Sequence, residues 1–345
     1  MIVFSDLHLR EQSEDVCFRV LDRIAAAARD SDHHVVCCGD FWNIRYQVNV
    51  RLLNRVHAVL EAWGSEGIAV DFLPGNHDQV DVSGRNALEV FEAHEYVTVW
   101  TDPGTYEVEL PGGELVTLGF VPYRKDIDVQ RADLTSVLAH KPTVVFGHFG
   151  IHGAIMNSGQ VDQGGLHLPA SDALVVLGHY HKHYQHVETR GRRERGWVYV
   201  GSPYQVDFGE VGNVCGFLTV DPAGRFAFDA FDVSAPRHCI LRWDPVEQEA
   251  PPALPDGFDV ERDHVRLDIK ASQETIVEGK FKAILKRSGL DQVRVNVVPV
   301  QVSRDAKMAI GEGETLLAAA RRFAAERLAG EALDAPIAAL ERWAE

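Results

Sequence analysis

The feature that most constrains this chain is a series of short apolar runs, each stopping on glycine, aspartate or histidine. MIVFS leads into Asp6-Leu7-His8, HVVCC into Gly39-Asp40, and IAVDFLP into Gly75-Asn76-His77-Asp78. TVVF ends on Gly147-His148, and ALVVL on Gly178-His179-Tyr180-His181. Runs this short, bounded by turn residues, read as buried strands. In open α/β sheets ligands bind beyond the carboxyl ends of the strands, so five such ends predict one shared site. A plain turn after residue 73 needs the glycine and the asparagine; it does not need His77 and Asp78 as well.

Strands are predicted at 1–5, 34–38, 68–73, 96–100, 105–110, 115–121, 142–147, 173–178, 197–201, 214–220 and 226–232. Val16, Val20, Leu21, Ile24 and Ala28 give a helical period over 14–29, and Leu52, Val56, Val59, Leu60 and Trp63 do so over 46–63. Helix-separated strands early and hairpin-like strands later predict an α/β sandwich of two mixed β-sheets flanked by helices, across residues 1–235. The proline- and acid-rich EQEAPPALPDG centres a predicted linker at 236–260. A strand at 264–270, a helix at 274–288 and a strand at 292–302 predict a small α/β cap domain over 261–310. TLLAAARRFAAERLAG and a short helix at 336–344 predict C-terminal helices over 311–345.

With 345 residues and 46% hydrophobic content, the chain has enough material for a large core without covalent staples. Cys17, Cys37, Cys38, Cys215 and Cys239 form no CxxC pair, which predicts reduced thiols and a cytoplasmic protein. The N-terminal residues lack a basic segment with a long apolar core, and no apolar run approaches the roughly 18 residues of a membrane span. The net charge of −17 is unevenly spread: residues 1–235 hold 18 Lys+Arg against 32 Asp+Glu, and 236–345 hold 16 against 19. Such acidity argues mildly against binding a phosphate backbone unless cations or a basic partner offset it. Residues 262–307, with 10 Lys+Arg against 6 Asp+Glu, are the local exception.

The strand ends carry carboxylate, amide and imidazole donors without thiolates. That set suits Mn²⁺, Fe or Zn²⁺ better than Ca²⁺ and argues against an Fe–S cluster. In extended chain, residues i and i+2 point the same way, which aims Asp6 with His8 and His179 with His181. Asp6, His8, Asp40, Asn76, His148, His179 and His181 are too many for one ion; a carboxylate shared by two ions accommodates them. Each motif alone has an ordinary reading: DxH as an incidental pair, GD as a turn, one histidine of GHYHK as a core residue. All five in this order favour a site.

As a set, SDLHL, GDFWN, PGNHD, GHFG and GHYHK resemble the motifs of the calcineurin-like metallophosphoesterases over about residues 1–235. The resemblance implies the metallophosphoesterase sandwich and two divalent metal ions. Asp6, His8, Asp40 and His181 would hold one, and Asp40, Asn76, His148 and His179 the other, with Asp40 bridging. His77 would then be catalytic rather than a ligand, stabilising the scissile phosphate or protonating the leaving oxygen, with Asp78 orienting its ring. VPYRKD at 121–126 and VGSPYQVDFGE at 200–210 resemble segments of the SbcD-type nuclease subunit and related phage recombination nucleases. This implies a Mn²⁺-dependent DNA nuclease of recombination or repair, a 3′-to-5′ exonuclease with some endonuclease activity. Its expected partners are DNA, an SbcC-like coiled-coil ATPase docked on the C-terminal helices, and a second copy in a homodimer. The setting would be the cytoplasm of a bacterial or phage-infected cell.

Candidate substrate contacts are Asn43, Arg124, His152, Lys182 and Tyr204. Asn43 stands where many cellular members of the resembled family carry histidine or aspartate, a position tied to the presentation of DNA ends. Lys182 heads a basic cluster with Arg190, Arg192, Arg193 and Arg195, read either as phosphate contacts or as a solvated hairpin tip. His152 lies in the long glycine-rich loop 150–169, and Tyr204 reads as a sugar or base contact or as core. Two other readings stay open. One is a small-molecule phosphatase or phosphodiesterase of the same superfamily, favoured by the acidic charge. The other is a non-catalytic scaffold with a structural metal, which would have no use for the His77-Asp78 pair.

Overall fold

The computed structural model describes residues 1–298 apart from 44–46, 82–84, 111, 192, 246, 249, 260, 271–279 and 291–292. The C-terminal helices expected over 311–345 lie outside the described residues.

The early strands β1 (Ile2–Phe4), β2 (His34–Cys37), β3 (Ala69–Phe72) and β4 (Val97–Val99) run parallel in a six-stranded sheet, joined at its other side by β11 (Gly216–Asp221) and β12 (Arg225–Ala230) in the order β12-β11-β1-β2-β3-β4. β11 pairs antiparallel with both β1 and β12, so the sheet is mixed. The second sheet contains β5 (Gly104–Glu109), β6 (Leu115–Val121), β7 (Val144–His148), β8 (Leu174–Gly178), β9 (Tyr184–Arg190) and β10 (Arg193–Tyr199), in the order β5-β6-β7-β8-β10-β9. Its four central strands are parallel and both edges antiparallel.

Alternation of side chains along each strand explains the layering. In β1 and β2, Val3 and Val36 face a core shared with Leu118, Phe120, Val144, Phe146, Leu174 and Val176 of the second sheet. Ile2, Phe4, Val35 and Cys37 face the opposite way, into a core closed by helix α1 (Glu14–Arg29) and helix α2 (Val50–Ser65). On the outside of the second sheet, Val145, Val175 and Leu177 pack with Leu134 and Val137 of helix α3 (Ile127–Leu138). The result is a sandwich of two mixed sheets with helices outside, which meets the coarse expectation.

Local departures have physical causes. α2 begins at 50 because the Asn49 side chain caps it, accepting from the Arg51 amide at 2.8 Å. α3 escapes the periodicity reading because only Gln130, Leu134 and Val137 are buried, while Ile127 and Val129 sit exposed. Strand β9 was also not expected: its residues are mostly exposed and polar, and pairing with β10 alone defines it.

The predicted linker at 236–260 needs correction. Its first part is β13 (His238–Trp243), which pairs parallel with β14 (His264–Lys270), itself parallel to β15 (Arg294–Val298). Leu241 and Trp243 are buried with Leu267 and Ile269, and Leu254 and Phe258 of the proline-rich stretch pack on the same core. Composition suggested a tether; the apolar residues scattered through it instead staple the segment to the cap. Helix α4 (Lys280–Arg287) connects β14 to β15.

Candidate metal centre

Tertiary structure gathers the predicted donors at one place: His8, Asp40, Asn76, His179 and His181 line a cavity of about 320 Å³ with His77 on its wall, and the buried Asp6 and His148 group with them through Asp40. They do not arrive by simple extension of the strands. β1 ends at Phe4 and β8 at Gly178, and Asp6, His8, Asp40 and His179 all adopt left-handed backbone conformations with φ of 54°, 49°, 53° and 93°. Such conformations are unfavourable for residues with a side chain and concentrate where function demands them. The i/i+2 argument for Asp6 with His8 therefore reached the right pairing through the wrong geometry. Two glycines permit the close approach of the loops. A Cβ on Gly75 would lie 2.2 Å from an Asp40 carboxylate oxygen, and one on Gly178 would lie 1.9 Å from Ser5 Oγ.

The donors fall into two bays. In the first, His8 Nε2 lies 3.1 Å from His181 Nε2 and 3.8 Å from Asp40 Oδ2, and His181 Nε2 lies 3.7 Å from Asp6 Oδ1. In the second, Asn76 Oδ1 lies 3.2 Å from His148 Nε2 and 3.0 Å from His179 Nδ1, and His148 Nε2 lies 3.4 Å from Asp40 Oδ2. Asp40 thus faces both. Asp6 does so too, since it groups with His8 and His181 and also with Asp40 and His148.

The outer nitrogens show how the rings are held. His148 Nδ1–H donates to the Cys38 carbonyl at 2.7 Å, and His181 Nδ1–H donates to Glu210 Oε1 at 2.6 Å. Both bonds leave Nε2 free of its proton when the ring is neutral, aimed into the centre. Glu210 is buried, and its other oxygen accepts from Ser202 Oγ at 2.6 Å and the Val206 amide at 3.0 Å. Sequence reading used Glu210 only as part of a family-like segment; it ends a short turn, Phe208–Glu210, eleven residues beyond β10, where no local pattern marks it.

Electrostatics divide the rings. Burial opposes protonation of His148, yet Asp40 and then Asp6 outweigh it and push it up to about 9. Burial likewise works against His181, but the Glu210 hydrogen bond and Asp6 raise it to about 9. Burial and the nearby His148 charge press His179 down to about 3, and burial holds His8 well below the ordinary imidazole range. Burial resists ionisation of Asp40, but His148 and His8 hold its carboxyl well below the usual range.

The donor set fits divalent cations. Two imidazole nitrogens facing each other at 3.1 Å share at most one proton, whereas both can converge on one cation. The groupings Asp6-His8-His181 and Asp6-Asp40-His148 keep their donor atoms within 4.8 Å of one another. His8-Asp40-His77 forms a third such group, so proximity alone does not separate His77 from the ligands. The His77 ring meets His8 edge-on at 4.8 Å, and its amide donates to Asp40 Oδ1 at 2.8 Å.

The expected orienting role of Asp78 is not what the structure shows. Its fully buried carboxylate accepts from the amides of Trp42 at 2.7 Å, Gly75 at 2.8 Å and Phe41 at 3.4 Å. It ties the Asp40 loop to the Asn76 loop and makes no hydrogen bond to the His77 ring among the described residues. Burial, and then Asp40, push its carboxyl up.

The candidate substrate contacts separate. Asn43 lines the central cavity and Arg124 an adjoining one, its Nε donating to Asp133 at 2.7 Å. Lys182 is exposed and does not line the central cavity. His152 packs on His167 with ring centroids 4.2 Å apart and bonds the Gln163 carbonyl, away from the donors. Tyr204 is corrected to a core residue: it is buried, and its hydroxyl donates to the Leu7 carbonyl at 3.1 Å. Several of the cations thought to meet phosphates are paired: Arg193 with Glu114, Arg195 with Glu188 and Asp172, Arg262 with Asp263, and Arg266 with Asp268. Arg190 and Arg193 stand at the far end of the β9–β10 hairpin, roughly 20 Å of strand from the His181 end.

No protein-family model matches the chain, and no curated protein does. Among the described residues no helix is long and apolar enough to cross a membrane.

Proposed function

We propose that this chain is a metal-dependent phosphoesterase using two divalent ions. The observation carrying the reading is the convergence of five separate strand ends on one cluster of donors, with Asp40 facing a nitrogen-rich bay on either side. Asp6, His8, Asp40 and His181 would hold one ion, and Asp40, Asn76, His148 and His179 the other. Bound there, the ions supply Lewis acidity, lowering the pKa of water and neutralising phosphate charge. The chain's own residues do the rest. Asp40 and Asp6 set the negative field, Glu210 and the Cys38 carbonyl fix the ring orientations, and His77 reaches the cavity wall beside the donors. During hydrolysis the water oxygen bonds to phosphorus and the bond to the leaving oxygen breaks. His77 gives that oxygen a proton, and the proton shed by water restores the ring.

Within this class, the reading extends to a Mn²⁺-dependent DNA nuclease, exonucleolytic in the 3′-to-5′ sense with endonuclease activity, acting as a homodimer with an SbcC-like ATPase. Its support is the resemblance of VPYRKD and VGSPYQVDFGE to SbcD-type subunits and a second small domain after the sandwich. A small-molecule phosphodiesterase is the second reading, favoured by the −17 charge and the pairing of several candidate DNA-binding cations. The test is cleavage of end-labelled duplex and single-stranded DNA with Mn²⁺, Mg²⁺ or EDTA, beside bis-p-nitrophenyl phosphate. Manganese-dependent shortening from the 3′ end, lost in His77→Ala, is the expected result. Hydrolysis of the small ester with DNA left intact favours the second reading, and inertness toward both removes both.

A further inference from the structure

Among the described residues the central cavity adjoins two others. On one side it shares Arg10 and Asn43 with a polar cavity of about 270 Å³. On the other it shares His179 with a cavity of about 310 Å³ bounded by Tyr123, Arg124, Lys125 and the glycine-rich loop. The two outer cavities share no residue, so the donors lie between them.

This layout constrains what is bonded to the phosphate. A phosphomonoester carries one substituent and a diester two, and only the diester has groups to place on both sides of the centre. The wall on the His179 side differs from the rest of this acidic chain. Tyr123 is half-buried, its ring roughly parallel to His179 at 6.3 Å and 28°. Lys125 is exposed with no ion pair among the described residues, and Arg124 is held in place by Asp133. The one carboxylate in this wall, Asp162, is occupied: it accepts from Tyr180 Oη and from the amides of Gly164 and Gly165 at 2.8 and 2.9 Å. These donors point positive dipoles at its charge and offset part of its repulsion of an anion. An aromatic face beside free positive charge is the chemistry that holds a base and its phosphate.

Building on the phosphodiesterase reading, we infer that the Tyr123–Lys125 cavity is a nucleotide subsite. It takes the residue on one side of the scissile phosphodiester, with the base on Tyr123 and the next phosphate toward Lys125. The Arg10–Asn43 cavity takes the residue on the other side. The preferred substrate is thus an oligonucleotide strand of at least two nucleotides, and phosphomonoesters are poor substrates.

The experiment compares p-nitrophenyl phosphate, bis-p-nitrophenyl phosphate and a thymidine trinucleotide on the full chain with Mn²⁺, for wild type, Tyr123→Ala and Lys125→Ala. Fluorescein-labelled tetrathymidylate binding is followed by anisotropy in EDTA. The wild type is expected to prefer the trinucleotide over the small diester by at least about tenfold in kcat/KM, with base stacking alone contributing about 5- to 150-fold. Each variant is expected to lower that preference by about 5- to 30-fold and to weaken tetrathymidylate binding. Equal losses on both diesters, or no preference for the trinucleotide, overturn the subsite. Inertness of the wild type toward every ester overturns the phosphodiesterase reading instead, and the anisotropy then decides the subsite alone.

Discussion

Asp78 offers the sharpest test of how the centre is built. If its carboxylate anchors loops, Asp78→Ala strands the amides of Trp42 and Gly75, each now bonded at 2.8 Å or less, and weakens a third contact to Phe41. A buried amide without a partner costs about 1–3 kcal/mol, so the loss is roughly 2–6 kcal/mol. Relief of the unfavourable burial of the carboxyl offsets part of it. Against a total stability of about 5–15 kcal/mol that is a large fraction. Asp78→Asn keeps one acceptor and turns an amide N–H toward the other donor, so about half the loss is expected. Urea denaturation of the metal-free protein measures both variants, and Mn²⁺ titration reports the displaced Asp40 and Asn76 loops. The pH–rate profile of residual Asp78→Asn activity should keep the wild-type shape, because the carboxylate does not touch the His77 ring. Unchanged stability in both variants, with a shifted profile in Asp78→Asn, would refute the anchor and restore the orienting role.

Three further outcomes follow from the same geometry. Glu210→Ala should lower Mn²⁺ affinity by about 10- to 100-fold by freeing the His181 ring, and Glu210→Gln, which still accepts from Nδ1–H, should recover part of it; isothermal titration checks this. In the cap, burial opposes ionisation of Asp263, but hydrogen bonds from Arg262 and Arg237 hold its carboxyl well below the usual range. Its stabilisation is therefore full above about pH 4 and lost as pH falls through the depressed value, so hydrogen exchange of β13 and β14 should differ between wild type and Asp263→Asn at neutral pH and converge in acid. Tyr204→Phe should cost about 0.5–1.5 kcal/mol of stability with KM for DNA unchanged, and an altered KM would return Tyr204 to the substrate contacts.

Much of the donor set was legible because strands announce themselves. Val35-Val36-Cys37-Cys38 and Leu174-Val175-Val176-Leu177 are apolar on both faces, so they must be central strands, and the polar residues that follow must emerge at a sheet end. Less was legible where a residue's surroundings come from distant chain. The family resemblance made Asp78 a partner for the His77 ring; the amides that hold it belong to residues 41, 42 and 75. Tyr204 looked available for substrate, but its hydroxyl ends on a carbonyl 197 residues away. The stretch 236–260 read as a tether by composition, though β13 inside it completes a parallel sheet.

By itself, then, the sequence determined the alternation of strands and helices and the chemical identity of the donors, because hydrophobic period and turn residues are local properties of the chain. Only the tertiary structure decided which atoms meet. It put Asp40 between two bays, turned His181 toward the centre through a buried Glu210, and paired several of the arginines that had seemed free for DNA. Hydrogen bonds and ion pairs act over a few ångströms, and the partners at that range come from segments that only folding brings together.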